Sequence, residues 1–389
     1  MKLRSALSVK SRREEVEKET RVSLTNIGTF SIDENVASKR NCENMIGVAQ
    51  VPMGVAGPLK IRTKNPELND QKTKEYYIPL ATTEGALVAS VSRGCKAITE
   101  SGGADVDSYR VGATRGPVFK VKNLHESDVF NKFLEEHFES LQQITKTTSS
   151  HLTLTKYMDR GVGRYRYVRF VFDTEDAMGM NMVTIATQKL VEYIETHTSV
   201  CCISLAGNYD VDKKPSWLNV IEGRGMKVWA EVTLPSKILK EVLKTTAQKF
   251  YDVWLSKCMI GSAMAGSMAF NAQFANIIAA IFLATGQDLG HVGEASLGVT
   301  TAEVVNGKDL YVSVYLPDLM VGTVGGGTGL ATQKEALSII GATNSKQLAE
   351  IIGGAVLAGE ISLLASLSVG TLVRAHQTLA RGAQMANGK

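Results

Sequence analysis

The feature that most constrains the fold is a regular alternation of strand and helix patterns between residues 116 and 206. RYRYVRFVFD (164–173) alternates polar and apolar side chains strictly, which predicts a strand with one buried face. HLTLTKYM, just before it, predicts a second strand, and Gly161 and Gly163 supply the turn between the two. The remaining elements of the run are the strand GPVFKVKN, a helix in SDVFNKFLEEHFESLQQI with Ser127 as N-cap, the helix MNMVTIATQKLVEYIETH and the strand CCISLAG.

The resulting order βαββαβ predicts a ferredoxin-like small domain over residues 116–206. The flanking segments, 43–115 and 207–370, are rich in Gly and Ala, and we expect them to form one large, mostly helical domain. The small domain would then be an insertion in the large one. Residues 1–42 are predicted to be a helical N-terminal region, and 371–389 a mobile C-terminal segment. The predicted fold class is α+β.

Two apolar stretches, Gly261–Thr285 and Ile351–Val373, are long enough to imitate membrane spans. The second contains Glu360, and both are rich in Gly, Ala and Ser, so we interpret them as buried core helices. The N-terminus is charged and has no apolar signal-peptide core. Five cysteines without CxxC spacing favour a reducing compartment. We therefore expect a cytoplasmic protein without a membrane partner.

Charge and motifs exclude several classes of function. The net charge of +4, from 43 basic and 39 acidic residues, is too mild to indicate a nucleic-acid partner. No GxGxxG follows a strand pattern, so a Rossmann dinucleotide site is unsupported. A P-loop and a GxSxG elbow are also missing, and the six histidines show no metal-binding spacing.

Two glycine-bearing segments could approach a ligand. DAMGMNM (176–182) lies where the alternating strand meets the second helix, and a helix start beside a glycine offers free N–H groups to an anion. Its methionines could lie flat against an aromatic ring, although a packed helix start is an equally good interpretation. GTVGGGTG (322–329) allows close backbone approach to a ligand or a helix, and a flexible turn is the alternative.

Charged residues mark two further segments. NYDVDKKPS (208–216) places Lys213 beside Lys214, which repel each other unless both face water or each has its own anion. A solvated turn is the simpler interpretation of this segment alone. Asp288 is predicted at the end of an apolar helix, where a carboxylate opposes the helix dipole and needs a cation, and Lys213 is a plausible partner. ATTEGALVAS (81–90) predicts a helix start with Thr82 or Thr83 as cap and Glu84 in the first turn.

These segments together resemble 3-hydroxy-3-methylglutaryl-CoA (HMG-CoA) reductase, of the class I type without a membrane anchor and in an archaeal-like form. The resemblance runs in the family's order over most of the chain. The matching strings are ENMIGVAQVPMGVAGPL, TTEGALVAS, TRGPV, DAMGMNM, GNYDVDKKP, IEGRG, GSAMAGS, GQD, GTVGGGT and AGEISLLASL…GTLVRAH.

The resemblance implies a four-electron reduction of (S)-HMG-CoA to mevalonate and CoA with two NADPH, in the mevalonate pathway of isoprenoid biosynthesis. It implies that Lys213 stabilises the oxyanion and that Asp288 keeps this lysine charged and oriented. Glu84 would protonate the aldehyde oxygen, and His376, on a closing C-terminal flap, would protonate the departing CoA thiolate.

The resemblance also implies the binding residues. Lys214 would bind the free carboxylate of the substrate and Asp212 its 3-hydroxyl. The substrate-binding set is Ser90, Arg115, Asn208, Asp212, Lys214, Lys257 and Asn276. The cofactor-binding set is Asp176, Met178, Gly179, Met180, Asn181, Met182, Gly325, Gly326, Gly327 and Thr328. No metal site is expected.

One departure from the family pattern bears on the cofactor. Residues 147–156 lack the Ser-Arg pair that holds the 2′-phosphate in eukaryotic members, so His151, Lys146 or Lys156 would have to replace it and NADH is possible. Two alternatives stay open: NAD-dependent oxidation of mevalonate in the reverse direction, and a catalytically silent CoA-binding protein. The family implies a homodimer or tetramer with the active site at the subunit interface.

Overall fold

The structure is a computed structural model that describes residues 8–65 and 70–370. The expected flap (371–389), with His376, lies outside the described residues. The strands are β1 (Met53–Asn65), β2 (Asp70–Ala81), β3 (Ala104–Arg115), β4 (Val118–Lys120), β5 (Thr153–Val162), β6 (Tyr165–Asp173), β7 (Cys201–Ser204), β8 (Arg224–Leu234), β9 (Val299–Val305) and β10 (Asp309–Leu319).

The helices lie before, between and after these strands along the chain, singly or in groups. They are α1 (Val9–Thr20), α2 (Glu34–Arg40), α3 (Leu87–Glu100), α4 (Leu124–Glu136), α5 (Phe138–Thr148), α6 (Met180–His197), α7 (Trp217–Glu222), α8 (Ser236–Glu241), α9 (Ala247–Trp254), α10 (Ser262–Met264), α11 (Phe274–Thr285), α12 (Val292–Ala295), α13 (Ala331–Ile340) and α14 (Ser345–Ser368). A π-helical segment, Leu255–Gly261, precedes α10, and short 3₁₀ turns cover Leu289–His291 and Gly326–Gly329. In the N-terminal region, which was predicted to be helical, the described residues form α1 and α2.

The strands join into one continuous sheet with the order β7-β4-β6-β3-β8-β10-β9. Strand β1 pairs with β2 and also, in parallel, with β3, while β5 pairs with β6. The remaining pairings are antiparallel. The sheet therefore passes from the segment 116–206 into the flanking segments through the β3–β6 pair.

The segment 116–206 has the predicted order of strands and helices, with the local strand order β7-β4-β6-β5. It has its own core, which includes Phe119, Phe130, Phe172 and Leu190. One prediction here is wrong: the first helix begins a turn earlier, with Asn123 rather than Ser127 as N-cap, and it divides into α4 and α5 at His137. The Asn123 side chain accepts a hydrogen bond from the N–H of Glu126 at 2.9 Å, so the earlier cap satisfies the helix start.

The flanking segments contain more sheet than expected. Six strands lie there, so the mostly helical prediction holds only in part. Buried residues of β8 alternate along the strand and face the second, larger core, which surrounds α14. Helix α14 packs against α3, α9 and α11 and against four strands of the sheet, β1, β3, β8 and β10.

Helix α14 also bears on the question of membrane spans. Among the described residues it is long and apolar enough to cross a membrane, but 83% of its most apolar window is buried inside the protein. A core helix passes the same test, which fits the interpretation of the second apolar stretch. The first apolar stretch, Gly261–Thr285, is not one helix, because residues 265–273 interrupt it between α10 and α11. The Gly266-Ser267 pair and Asn271 in that break favour a turn over a continuous helix.

The two chain crossings between segment 116–206 and the rest of the protein lie side by side. The N–H of Gly207 donates to the carbonyl oxygen of Gly116 at 2.7 Å. A Cβ on Gly207 would lie 1.9 Å from the Val118 side chain, so a larger residue would not fit. The chain continues from this contact into residues 207–216, the lysine loop, and thus places the loop between the two cores.

Candidate active site

The main candidate site is a cleft of about 720 Å³ between the start of α6, the lysine loop and residues 322–330, the glycine loop. Its walls include Arg115, Asp212, Lys213 and Asp288. Nine of the ten predicted cofactor-binding residues also line it, namely Met178, Gly179, Met180, Asn181, Met182, Gly325, Gly326, Gly327 and Thr328. Two segments that are about 145 residues apart in sequence are thus brought to one surface.

Helix α6 begins at this cleft. Its N-cap Gly179 has φ 85° and forms no side-chain capping bond, so the first N–H groups of the helix lack a capping side chain. Such a start attracts an anion such as a phosphate group. Asp176, the tenth predicted residue, does not line the cleft: its carboxylate accepts from the N–H of Ser345 at 2.8 Å and fixes the start of α14.

The glycine loop combines close packing with open positions. A Cβ on Gly322 would lie 2.5 Å from the backbone nitrogen of Met178, and the side chain of Gln287 bonds both the N–H (2.9 Å) and the carbonyl oxygen (3.0 Å) of Gly322. A Cβ added to Gly325 or Gly326, in contrast, would meet no atom of the described residues within 4 Å. The loop is therefore anchored at its start and free to meet a ligand at its tip.

The expected contact between Lys213 and Asp288 is present, with Nζ 2.7 Å from Oδ2. The predicted place of Asp288 is wrong, however, because α11 ends at Thr285 and Asp288 caps the following 3₁₀ turn, accepting from the N–H of Gly290 at 2.9 Å. Partial burial acts to raise the pKa of Asp288, but the bonds from Lys213 and Gly290 outweigh it and lower the pKa below its usual value. The carboxylate is thus held ionised beside the ammonium.

The lysine loop carries backbone strain. Asn208, Val211 and Lys213 all have left-handed backbones, with φ of 62°, 53° and 59°. Residues keep such conformations only where surrounding contacts enforce them. For Lys213 the contact is a bond from its own N–H to Oε2 of buried Glu294, at 3.0 Å. Both the main chain and the side chain of Lys213 are therefore fixed by a carboxylate.

Arg224, fully buried, connects this loop to the interior. Its guanidinium donates to Glu294 Oε1 at 2.5 Å, to Asp212 Oδ1 at 2.9 Å and, through Nε, to Thr114 Oγ1 at 2.7 Å. Arg115 lies 3.7 Å from the other oxygen of Asp212. A guanidinium group thus lies beside each oxygen of Asp212.

One group of possible metal ligands lies in the same place. Ligand atoms of Asp212, His291 and Glu294 lie within 4.8 Å of one another. Arg224 already donates to both carboxylates, so its guanidinium supplies the positive charge at this position. The sequence predicted no metal site.

The remaining predicted residues do not line the main cleft. Glu84 is exposed in a bend, and its N–H donates to Thr82 Oγ1 at 2.9 Å. The predicted cap at Thr82 or Thr83 is wrong: α3 begins at Leu87 with Ala86 as N-cap, because the Gly85-Ala86 turn delays the helix. Glu84 therefore precedes the helix instead of lying in its first turn.

Ser90, Lys257 and Asn276 lie around residues 360–362 of α14. Ser90 Oγ bonds Ser362 Oγ at 2.9 Å, and Asn276 bonds Gln273, which itself bonds the Gly359 carbonyl. Lys257 lies on the π-helical segment, and its charge acts on buried Glu360. Burial raises the pKa of Glu360, which three hydrogen bonds partly offset. We call these residues, with Glu84, the second group.

Asn208 and Lys214 are exposed on the lysine loop, and Lys214 Nζ bonds the Asp212 carbonyl oxygen at 3.1 Å. Sequence reasoning missed the buried set of Arg224, His291 and Glu294 behind the loop. The available signals were weak: an arginine in an apolar strand pattern, and a His and a Glu three residues apart after Asp288.

Comparisons with known proteins place these observations in a family. The sequence model described as hydroxymethylglutaryl-coenzyme A reductase matches residues 8–381. The 3-hydroxy-3-methylglutaryl-coenzyme A reductase of Methanothermobacter thermautotrophicus is 49% identical over 379 residues, covering 96% of this chain and 94% of the relative. That of Methanocaldococcus jannaschii is also 49% identical, covering 97% and 94%.

Among solved structures, the fold is similar to the class II 3-hydroxy-3-methylglutaryl-CoA reductase from Streptococcus pneumoniae bound to NADPH in open conformations. The TM-score is 0.69 at 18% identity, covering 92% of this chain and 96% of that one. This likeness supports the fold, and the archaeal relatives support the archaeal-like form inferred from the motifs. The chain therefore belongs to the hydroxymethylglutaryl-coenzyme A reductase family.

Proposed function

We propose that this chain reduces HMG-CoA to mevalonate and free CoA with two NADPH, by way of mevaldehyde. The activity follows from family membership over nearly the whole chain. The observation that carries the mechanism is the Lys213–Asp288 pair in a cleft whose other wall is the predicted cofactor-binding set.

The cleft suits a dinucleotide. The start of α6, which has no capping side chain, fits a pyrophosphate, and the open tip of the glycine loop allows the backbone to approach it. When bound, NADPH supplies a hydride first to the thioester and then to the aldehyde. The start of α6 would be the contribution of a ferredoxin-like small domain (116–206) to this cleft, and the local strand order β7-β4-β6-β5 supports such a domain.

Lys213 would act on the carbonyl oxygen of the substrate in both reductions. Its side chain is 43% exposed while its ammonium bonds Asp288, and the ammonium has three hydrogens, so hydrogens remain available to an oxygen in the cleft. Hydride addition makes that oxygen an alkoxide, and one well-placed donor stabilises such charge by about 3–4 kcal/mol. The ionised Asp288 keeps the ammonium charged and turned toward the cleft.

The remaining substrate-binding and proton-transfer roles would also fall to charged or polar side chains. Lys214 would bind the free carboxylate of the substrate, and Asp212 would accept a hydrogen bond from its 3-hydroxyl. Arg115 and Asn208 would add donors to the same pocket. Collapse of the first alkoxide breaks the C–S bond, and His376 would protonate the departing thiolate. Glu84 would then supply a proton to the oxygen of mevaldehyde.

We further propose that two copies of the chain complete each active site, in a homodimer or tetramer. Helix α14 supports this geometry, because Ser345 at its start contacts the Asp176 loop whereas Ser362 contacts Ser90. These positions are about 25 Å apart along a continuous helix at 1.5 Å per residue. The second group would therefore serve the cleft of the partner subunit, where Ser90, Lys257 and Asn276 would bind CoA and substrate.

NADPH is the cofactor we propose, and NADH is its competitor. Ser149 lies at the edge of the cleft, with its Oγ 3.9 Å from the sulfur of Met182, so residues 147–156 are close enough to meet the cofactor. Exposed His151, bonded to Glu175 at 2.7 Å, is one candidate for the 2′-phosphate contact. The protein would act in the cytoplasm.

The test is NADPH oxidation with HMG-CoA as substrate, counting two NADPH per mevalonate formed. Lys213→Ala should lower the rate of thioester reduction by ~10²–10³-fold, and His376→Gln should abolish this step while sparing the reduction of free mevaldehyde. Faster initial rates with NADH than with NADPH, or faster turnover of mevalonate with CoA and NAD, would favour the oxidative alternative. Binding of CoA without any turnover would support the remaining alternative, a catalytically silent CoA-binding protein.

A further inference from the structure

A buried histidine lies directly behind the Lys213–Asp288 pair. The ring of His291 is fully buried, its Nδ1 bonds Glu294 Oε1, and its Nε2 lies 3.7 Å from Asp288 Oδ2. The same Nε2 lies 3.9 Å from Asp212 Oδ1 and has no hydrogen-bond partner in the described part of the chain. Buried polar atoms without a partner are uncommon. This one points between two carboxylates that line the cleft.

The charges around the ring come from four elements. Asp212 faces it from the lysine loop, Asp288 from the 3₁₀ turn, Glu294 from α12 and Arg224 from β8, with Nη1 3.4 Å from Nδ1. Lys213 is paired with Asp288. Arg115 lies 3.7 Å from the second oxygen of Asp212. Carboxylate oxygens only accept hydrogen bonds, so a ring with a hydrogen on each nitrogen can donate to Glu294 on one side and toward Asp288 and Asp212 on the other.

We propose that His291 is a positioning residue for the reduction, which acts by presenting an Nε2 hydrogen to Asp288 while Glu294 holds the opposite side of the ring. Asp288 in turn orients the Lys213 ammonium. The same Glu294 accepts the N–H of Lys213 through its second oxygen, at 3.0 Å. The buried His291–Glu294 pair thus positions the main-chain N–H of Lys213 directly and its ammonium through Asp288. This inference rests on the proposed role of Lys213.

Two substitutions separate the two ring nitrogens. In His291→Gln the amide nitrogen can reach the Nε2 position and still donate toward Asp288, whereas in His291→Asn it reaches only the Nδ1 position. Misplacement of a catalytic group by about 1 Å can cost ~10²-fold in rate. We therefore expect His291→Asn to lower kcat by ~10²-fold with little change in the KM for NADPH. His291→Gln should keep at least about tenfold more of kcat than His291→Asn.

The assay is steady-state NADPH oxidation with HMG-CoA by the full chain, including Lys213→Ala alone and combined with His291→Asn. Because His291 acts through Lys213, the second substitution should not lower the residual rate of Lys213→Ala further. An additional loss in the double variant would assign His291 a purely structural role and overturn the inference. Equal losses in the Gln and Asn variants would overturn it as well.

The failures of the separate proposals can be told apart. A wild-type chain that does not turn over HMG-CoA refutes the proposed function, and full activity of Lys213→Ala refutes the role of the lysine. Normal kcat in His291→Asn refutes only the role of the histidine. If that variant does not fold, ¹⁵N NMR of histidine-labelled wild-type protein decides, with His291→Gln assigning the signal. Hydrogens on both ring nitrogens support the proposal, and a neutral ring contradicts it.

Discussion

Substitution of Gly322 by alanine tests whether the glycine loop must touch the DAMGMNM segment to form the cleft. The added Cβ would lie 2.5 Å from the backbone nitrogen of Met178 and 3.0 Å from the Asp176 carbonyl oxygen. Ordinary contacts begin at 3.4 Å, so one backbone would have to move by about 0.9 Å. No flexible side chain is available to yield, because both obstructing atoms belong to the main chain.

The magnitude follows from the bonds that this movement breaks. The N–H of Thr323 donates to the Asp176 carbonyl oxygen at 2.8 Å, and Gln287 makes two bonds to Gly322. Loss of one or two such bonds costs about 1 kcal/mol each, and overpacking adds roughly 1–3 kcal/mol. We expect Gly322→Ala to lower the free energy of unfolding by about 2–5 kcal/mol.

The assay combines thermal unfolding with NADPH titration followed by the fluorescence of the reduced nicotinamide. We expect a lower Tm and weaker NADPH binding, because the displaced loop no longer closes against α6. Gly329→Ala is the matched control, since a Cβ there meets no atom of the described residues within 4 Å and the position lies in the same loop. Normal Tm and normal NADPH affinity in Gly322→Ala would refute the claim that the two segments need this contact.

Three further predictions concern Lys213, the buried acid Asp318 and the helix cap Asn123. Lys213→Ala should lower kcat by ~10²–10³-fold in the steady-state assay, the cost of one oxyanion donor, and a change in KM alone would contradict this role. Burial, with repulsion from Glu294, raises the pKa of Asp318 well above its usual value. The folded protein therefore holds this proton more tightly than the unfolded chain, and the free energy of unfolding decreases as pH rises from the usual pKa to the raised one. Asp318→Asn should therefore gain in Tm relative to wild type more at pH 8 than at pH 5, and a difference independent of pH would refute the burial argument. Asn123→Ala should cost about 1 kcal/mol of stability in denaturant unfolding, whereas Ser127→Ala, one turn inside the helix, should leave the cap intact.

The segment 116–206 shows how far local pattern predicts structure. The strand at residues 165–173 and the helix Met180–His197 were both predicted, because each pattern is long and Gly179 marks the start of the helix. The single buried face expected for the strand was wrong: residues 168–172 are all buried, because Arg169 on the second face is covered and bonds Asn219 and Gly223. The N-cap at Asn123 was not predicted, since Asn and Ser are both good N-cap residues and Asn123 and Ser127 lie one turn apart. Packing of α4, not the local sequence, decides between them.

The sheet of the large segments was harder to predict. RGMKVWAEVTL alternates like a strand, but its Gly and Ala resemble the helical composition around it. Its partners, β3 and β10, lie about a hundred residues away in either direction, so the local sequence cannot predict the pairing. The same distance explains the missed core of the site, because Arg224 and Glu294 meet only after β8 and α12 have packed.

The Lys213–Asp288 contact could be predicted because both residues break a local rule. Adjacent ammonium groups and an acid after an apolar helix each need a partner from elsewhere. The reason given for Asp288 was nevertheless wrong, since it caps a new turn instead of ending the old helix. Asp176 illustrates the converse: its segment lines the cleft, but its carboxylate is bonded to Ser345.

The hydrogen bond between Gly207 and Gly116 has a consequence for engineering the chain. Because residues 117–206 leave and re-enter the rest of the protein at this one point, a short linker in their place would keep the flanking ends in register. Such a shortened protein would show whether the flanking segments fold and bind a thioester by themselves.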